Sequence, residues 1–179
     1  MLNKPFTLIH KFDDAVEKLH LVEGGFQKHY NDKGNWTSGK IGVGRLLGTK
    51  YGISAARYPN EDIINLTKER AKYLYRRDYW DKYKCDEIPT LYRYFYFDCF
   101  VNHSPRAAVK IFQGALNDSG FDLKEDGILG NNTLNAIKTM KLKTENLRAR
   151  RIAYFSELCI NDPNNYVFLV GWINRVLSI

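Results

Sequence analysis

Apolar and polar positions along the 179-residue chain alternate mostly with a helical period. Phe12, Val16, Leu19 and Val22 recur at three- and four-residue intervals, the mark of one buried helix face. Asp14 followed by Glu17 is a capping-box pattern that predicts a helix start with Asp14 as the cap. Gly24-Gly25 then predicts its end, because glycine favours the backbone just beyond a helix. Between 30 and 53 the period is lost. Asn31, Gly34, Asn35, Gly39, Gly42, Gly44, Gly48 and Gly52 break any helix. The β-prone pieces Ile41-Gly42-Val43 and Tyr51-Gly52-Ile53 lie among them, which predicts a small β-hairpin or sheet near residues 36–53. Helical spacing returns at Thr67 and runs to about Trp80, with Ala71, Leu74 and Tyr75 inward. Pro89 precedes a third helix over 90–102. Ser104-Pro105 opens a fourth, with serine as cap and proline at the first helical position. It carries Ala108, Ile111, Phe112, Ala115 and Leu116, and ends at Ser119-Gly120. After a glycine-containing turn at 126–130, Asn132 opens a short helix, and two more are predicted over 144–160 and 165–177. The expected fold class is therefore mainly α, with that one small β element.

Composition narrows the class of protein. Hydrophobic residues make up 44% and aromatics 14% of the chain, too many for a disordered segment. The length allows one ordinary core, or a catalytic unit with a small appended one. A net charge of +7 favours a polyanionic partner or surface. Nucleic acid, anionic lipid and bacterial cell wall all qualify, but no helix-turn-helix or other nucleic-acid reading motif is present, so nucleic acid is not expected. Cys85, Cys99 and Cys159 are widely spaced with no Cys-x-x-Cys, and the histidines at 10, 20, 29 and 103 are scattered. Neither a metal site nor a cofactor is expected, and three free thiols suit a reducing compartment. No apolar run reaches the roughly 18 residues of a membrane span. The stretch Met1 to Thr7 lacks the apolar core of a signal peptide. Synthesis in the cytoplasm is expected, and any substrate beyond the membrane must be reached by another route.

Three residues are candidates for chemistry. Glu23 falls at the end of the first predicted helix, where the helix dipole disfavours further negative charge. Val22, Phe26 and the glycines limit its solvation, and both effects raise a carboxyl pKa as a general acid requires. The plainer reading is a surface glutamate before a helix stop. Asp32 lies nine residues on, in a polar segment. Two carboxyls in contrasting surroundings are the pairing that glycoside hydrolysis uses, although Asp32 alone also fits a turn aspartate bonding its own backbone. Thr49 offers a hydroxyl that can hold a water, or is an ordinary strand threonine. Elsewhere, Asp98 among Phe97, Cys99 and Phe100 is expected to be buried and to need an arginine or a helix N-terminus. Asp126 fits a turn former. Tyr92, Tyr94 and Tyr96 fit core packing better than a glycan platform. Arg148, Arg150 and Arg151 read most simply as a solvated helix face that could aid adsorption to an anionic wall.

Glu23-Gly24-Gly25-Phe26, then Asn31-Asp32, then Thr49-Lys50-Tyr51-Gly52-Ile53 resembles the opening of glycoside hydrolase family 108, muramidases of phage endolysins and secretion-related bacterial proteins. The resemblance continues through Tyr75-Arg76-Arg77-Asp78-Tyr79-Trp80 and Phe97-Asp98-Cys99-Phe100-Val101-Asn102. Ala107 to Asn117, Asp126-Gly127-Ile128-Leu129-Gly130 with Thr133, and Gly171 to Val176 are similar to the peptidoglycan-binding unit that follows. The likeness spans about residues 12–177. It implies a lysozyme-like α-helical fold, with a catalytic region over 1–103 and a helical peptidoglycan-binding region over 104–179 packed as one compact unit. It implies an N-acetylmuramidase cleaving the β-1,4 bond between N-acetylmuramic acid and N-acetylglucosamine. Peptidoglycan glycan strands would be the partner, no cofactor is implied, and a monomer is the default. Glu23 would be the acid, with Asp32 and Thr49 holding the attacking water as in phage lysozymes. Tyr30, Tyr51 and Asn102 would touch substrate. A phage endolysin reaching the wall through a permeabilised membrane is the expected biology. A lytic transglycosylase and a non-catalytic wall-binding protein are the rivals. The chain departs from the family in the long insertion 33–48, which leaves Ser38 or Thr37 as alternatives to Thr49.

Overall fold

The computed structural model describes residue 6, residues 8–22 and residues 25–179. Among these, seven α-helices and one two-stranded antiparallel sheet make the fold mainly α. The chain divides into two compact units, Lys11–Lys82 and Tyr83–Ile179, the latter including the described residues before Lys11.

In the first unit, α1 (Phe12–Val22) starts three residues earlier than the capping pattern predicts. Asp14 sits inside the first turn instead of capping it. Burial explains the difference: Phe12 is buried against the Trp80 ring, centroids 5.4 Å apart, so the helix extends back to place it. Ala15, Val16 and Leu19 complete the inward face. The strands β1 (Thr49–Lys50) and β2 (Ile53–Ser54) pair Thr49 with Ser54 and Lys50 with Ile53. Their two-residue turn, Tyr51-Gly52, has positive φ at both positions, 51° and 73°, the twist that closes a tight hairpin. Tyrosine is unusual there, and its carbonyl accepts a hydrogen bond from Tyr75 Oη at 3.0 Å. The expected β piece at Ile41–Val43 is instead an exposed turn. It follows Gly39 and encloses Gly42, both at positive φ, so the chain reverses before it can pair.

Thr67 caps α2 (Lys68–Tyr75), its side chain accepting from Arg70 N at 3.1 Å. The helix then widens into a π-type turn over Arg76–Asp81. One extra residue in that turn lets the adjacent Tyr79 and Trp80 both point inward, where both are buried.

In the second unit, α3 (Thr90–Asn102) is enclosed on nearly all sides, as expected of a helix that is apolar all round. Tyr92, Tyr94 and Tyr96 pack in the core. Tyr92 and Tyr96 satisfy their hydroxyls on the carbonyls of Leu142 and Tyr83, at 2.8 and 3.0 Å. Ser104 caps α4 (Pro105–Asn117). Then come α5 (Asn131–Thr139), α6 (Thr144–Asn161) and α7 (Tyr166–Ser178).

Asp98 of α3 is fully buried between two arginines. Arg151 Nη1 lies 2.7 Å from Oδ2, and Arg175 Nη2 lies 2.8 Å from Oδ1. Burial pushes the Asp98 pKa up; Arg151 and then Arg175 more than reverse this and hold it below the usual range. The reading of Arg148, Arg150 and Arg151 as a solvated face is overturned. Arg148 and Arg151 are buried, and Arg150 forms a bidentate pair with Asp118. Arg148 Nη2 donates to the Ile179 carbonyl at 2.6 Å, and its guanidinium lies 4.6 Å from the Phe6 ring centroid. Arg151 Nε donates to His103 Nε2 at 2.9 Å. That imidazole is kept neutral, its pKa lowered to about 3 by burial first and the Arg151 charge second. All three cysteines are buried thiols. The Cys99 thiol is pushed up to about 12, chiefly by burial, so it is inert as a nucleophile.

Candidate active site

The glycine-rich segment after α1 is short of regular structure, so side chains satisfy much of its backbone. Asp32 caps the 3-10 turn Lys33–Asn35, its Oδ1 accepting from Gly34 N at 2.8 Å. The other oxygen, Oδ2, accepts from Gln27 Nε2 at 3.2 Å. Gln27 Oε1 accepts from Asn35 Nδ2 at 3.2 Å, and Asn35 Oδ1 accepts from Thr49 Oγ1 at 2.8 Å. A continuous chain of hydrogen bonds therefore runs Asp32–Gln27–Asn35–Thr49.

The backbone fixes Gln27, Asn35 and Thr49 within this chain. Gln27 and Thr49 form an isolated antiparallel bridge with two bonds of 2.9 Å. Asn35 is fully buried; its carbonyl accepts from Leu47 N and Gly48 N, and its amide also donates to the His29 carbonyl. Gly48, at φ +89°, is required here, since a Cβ would come within 2.5 Å of the Gln27 carbonyl oxygen.

Hydrogen-bond capacity says what the cluster can do. Each Asp32 oxygen has one protein donor in this network, and a carboxylate has about four acceptor sites. Asp32 is half-buried, so it remains reachable. The Thr49 hydrogen is directed to Asn35, which leaves the lone pairs of its oxygen to accept. Both groups thus keep sites that can accept from water.

The other expected residues fall in different places. Tyr30, two residues before Asp32, is 59% exposed, its ring T-shaped against Trp36 with centroids 5.2 Å apart; Trp36 Nε1 donates to the Tyr30 carbonyl. Tyr51 is at the hairpin tip, with Lys50 Nζ 5.5 Å from its ring centroid. Asn102 belongs to the second unit, where it is exposed and its Nδ2 donates to the Asp98 carbonyl within α3. Ser38 and Thr37 are committed elsewhere: Ser38 Oγ lies 2.7 Å from the Val43 carbonyl, and Thr37 Oγ1 accepts from Arg45 N. Glu23 lies outside the described residues, immediately after the end of α1. Gln27 and Asn35 were not singled out from the sequence. The bridge that brings Gln27 to Thr49 spans a long loop, and only the glycine at 48 hints at so close an approach.

Among the described residues, no group of three or more His, Cys, Asp or Glu side chains is placed to hold a metal ion. No described helix is long and apolar enough to cross a membrane. Asp126 is a turn former, its Oδ1 accepting from Ile128 N and from the buried Gln113.

A reachable carboxylate, two amides and a hydroxyl linked beside a small hairpin in a mainly α chain are groups that glycoside hydrolysis can use. Family comparison makes this specific. Residues 16–104 match the glycosyl hydrolase 108 model, and residues 107–177 match the model described as a predicted peptidoglycan domain. The chain belongs to the glycosyl hydrolase 108 family and is a glycoside hydrolase directed at peptidoglycan. A solved structure, that of Brucella abortus SagA, is similar at 27% identity and a TM-score of 0.68, covering 93% of this chain and 90% of that one. No curated protein matches the sequence. The family segments meet near 105, whereas the compact units meet at 82–83. The last helix of the first family segment, α3, thus packs with the C-terminal unit, to which Asp98 ties it.

Proposed function

We propose that the protein is an N-acetylmuramidase that hydrolyses the β-1,4 bond between N-acetylmuramic acid and N-acetylglucosamine. Glu23 protonates the leaving glycosidic oxygen. Asp32 takes a proton from a water held between its carboxylate and Thr49, and that water attacks the anomeric carbon from the opposite face. Gln27 and Asn35 keep Asp32 and Thr49 in register. Tyr30, Tyr51 and Asn102 contact the glycan. The observation that carries this reading is the hydrogen-bonded chain Asp32–Gln27–Asn35–Thr49, which leaves acceptor sites free at both ends. In this reading the enzyme is an endolysin, made in the cytoplasm, that meets the wall once the membrane is breached.

Digestion of purified peptidoglycan tests it, with mass spectrometry of the fragments beside the Glu23→Gln variant. Hydrolysis adds one water per cleavage, and the variant is expected to clear walls about 10²–10⁴-fold more slowly, the contribution of a positioned general acid. Fragments ending in an anhydro sugar would instead mark a lytic transglycosylase. Pelleting with walls without release of reducing ends would mark a binding protein. Wild-type clearance by the variant would remove Glu23 from the mechanism.

A further inference from the structure

Within the C-terminal unit, α4 and α6 border a concave cleft of about 340 Å³ that is separate from the Asp32 cluster's residues. Its walls carry Lys110, Arg150, Glu125 and Glu157, with Tyr154 beside them; Ile111 and Ala153 complete the lining. The size falls within the range of small-ligand sites. The arginine is held in place rather than free on the surface. Asp118 grips its Nε and Nη2, the first at 2.5 Å, which leaves the Nη1 edge for a ligand. Beneath it lies Gly114, in the last turn of α4. A Cβ there would come within 3.0 Å of Arg150 Cζ and Nη1. Glycine inside a helix is unfavourable relative to alanine, and what occupies the space it opens is this guanidinium. Arg150's pKa is raised chiefly by its bonds to Asp118, with Glu125 and Glu157 adding to the effect. Both carboxylates therefore act on the same spot.

We propose that this cleft binds the zwitterionic part of a peptidoglycan stem peptide, with Lys110 and Arg150 taking a carboxylate and Glu125 and Glu157 taking an ammonium. The proposal rests on the assignment of residues 107–177 to a peptidoglycan domain and gives that domain a ligand class. Lys110 and Arg150 face Glu125, Glu157 and the Asp118 that grips Arg150, so the cleft carries no positive excess and does not suit a polyanion such as nucleic acid or a teichoic acid. Neutral sugars call for stacking rings and amide donors, and here there is one ring and four charges. A diamino acid bearing a free ammonium and a carboxylate matches both signs at once.

The test is a calorimetric titration of the full-length protein with synthetic L-Ala-γ-D-Glu-meso-diaminopimelate-D-Ala, and with the same peptide acetylated on its free side-chain amine. Acetylation, Lys110→Met and Glu157→Gln are each expected to weaken binding about five-fold, the contribution of a partly exposed ion pair. A chitin oligosaccharide is expected not to compete. Peptide binding unaffected by both substitutions, no peptide binding, or displacement by the oligosaccharide would overturn the proposal. Pelleting with insoluble peptidoglycan is run in parallel. A protein that pellets but ignores the peptide loses only the cleft assignment, whereas one that does not pellet loses the peptidoglycan-binding reading as well.

Discussion

The two units use polar side chains in opposite ways. In Lys11–Lys82, polar groups are linked by neutral amides across a glycine-rich loop and remain half-exposed at the ends, as Asp32 and Thr49 do. In Tyr83–Ile179, charges are enclosed: Asp98 and Arg151 are fully buried and Arg175 closes the pair. A half-exposed network with spare acceptors can receive a water or a substrate. A buried ion cluster closed to solvent cannot, and its consequence is cohesion between α3, α6 and α7. An acidic residue inside a family motif, such as Asp98, is thus no catalytic candidate by virtue of its motif alone.

This contrast predicts separable defects. Asp98→Asn leaves the buried Arg151 and the partly buried Arg175 without a counter-charge, and breaking such a pair costs about 3–5 kcal/mol. Urea unfolding is expected to shift by that much, with turnover per folded molecule little changed; a variant as stable as the parent would refute the structural role. Gln27→Met keeps the side chain's size but removes the link between Asp32 and Asn35. A hydrogen bond to a charged group contributes about 1.5–3 kcal/mol, so kcat is expected to fall roughly ten- to hundred-fold at near-constant KM and stability. A change in KM alone would mean that Gln27 serves binding instead. The smallest effect concerns pH. His103 is neutral when folded, with its pKa lowered from 6.5 to about 3. The unfolded chain therefore binds more protons across that interval, and stability falls as pH drops from about 6.5 towards 3. His103→Gln is expected to flatten urea midpoints between pH 6 and 4, and an unchanged slope would place the acid sensitivity elsewhere.

Much of the fold was legible wherever local chemistry decides it. Thr67, Pro89 and Ser104-Pro105 mark helix starts because caps and proline act within one turn. The start of α1 was misread because Phe12's contact with Trp80, distant in sequence, outweighs a local cap. Arg148 and Arg151 looked solvated because spacing on a helix does not reveal whether a counter-charge waits inside; Asp98 and the carbonyl of Ile179 supply the partners. At the site, Asp32 and Thr49 were legible by residue type and by resemblance. Gln27 and Asn35 were not, since amides in a glycine-rich loop look like turn residues until the bridge at Thr49 joins them. The extra residue of the π-type turn at Arg76–Asp81 also leaves no periodic signature.

The central claim is that Asp32 and Thr49 hold the water that attacks the sugar opposite the leaving group. Proton NMR of freshly released reducing ends, recorded before they equilibrate, reads this directly. Attack by that water inverts the β linkage, so the first N-acetylmuramic acid ends to appear are expected as the α-anomer. Initial release of the β-anomer, or of an anhydro sugar with no reducing end, would contradict it.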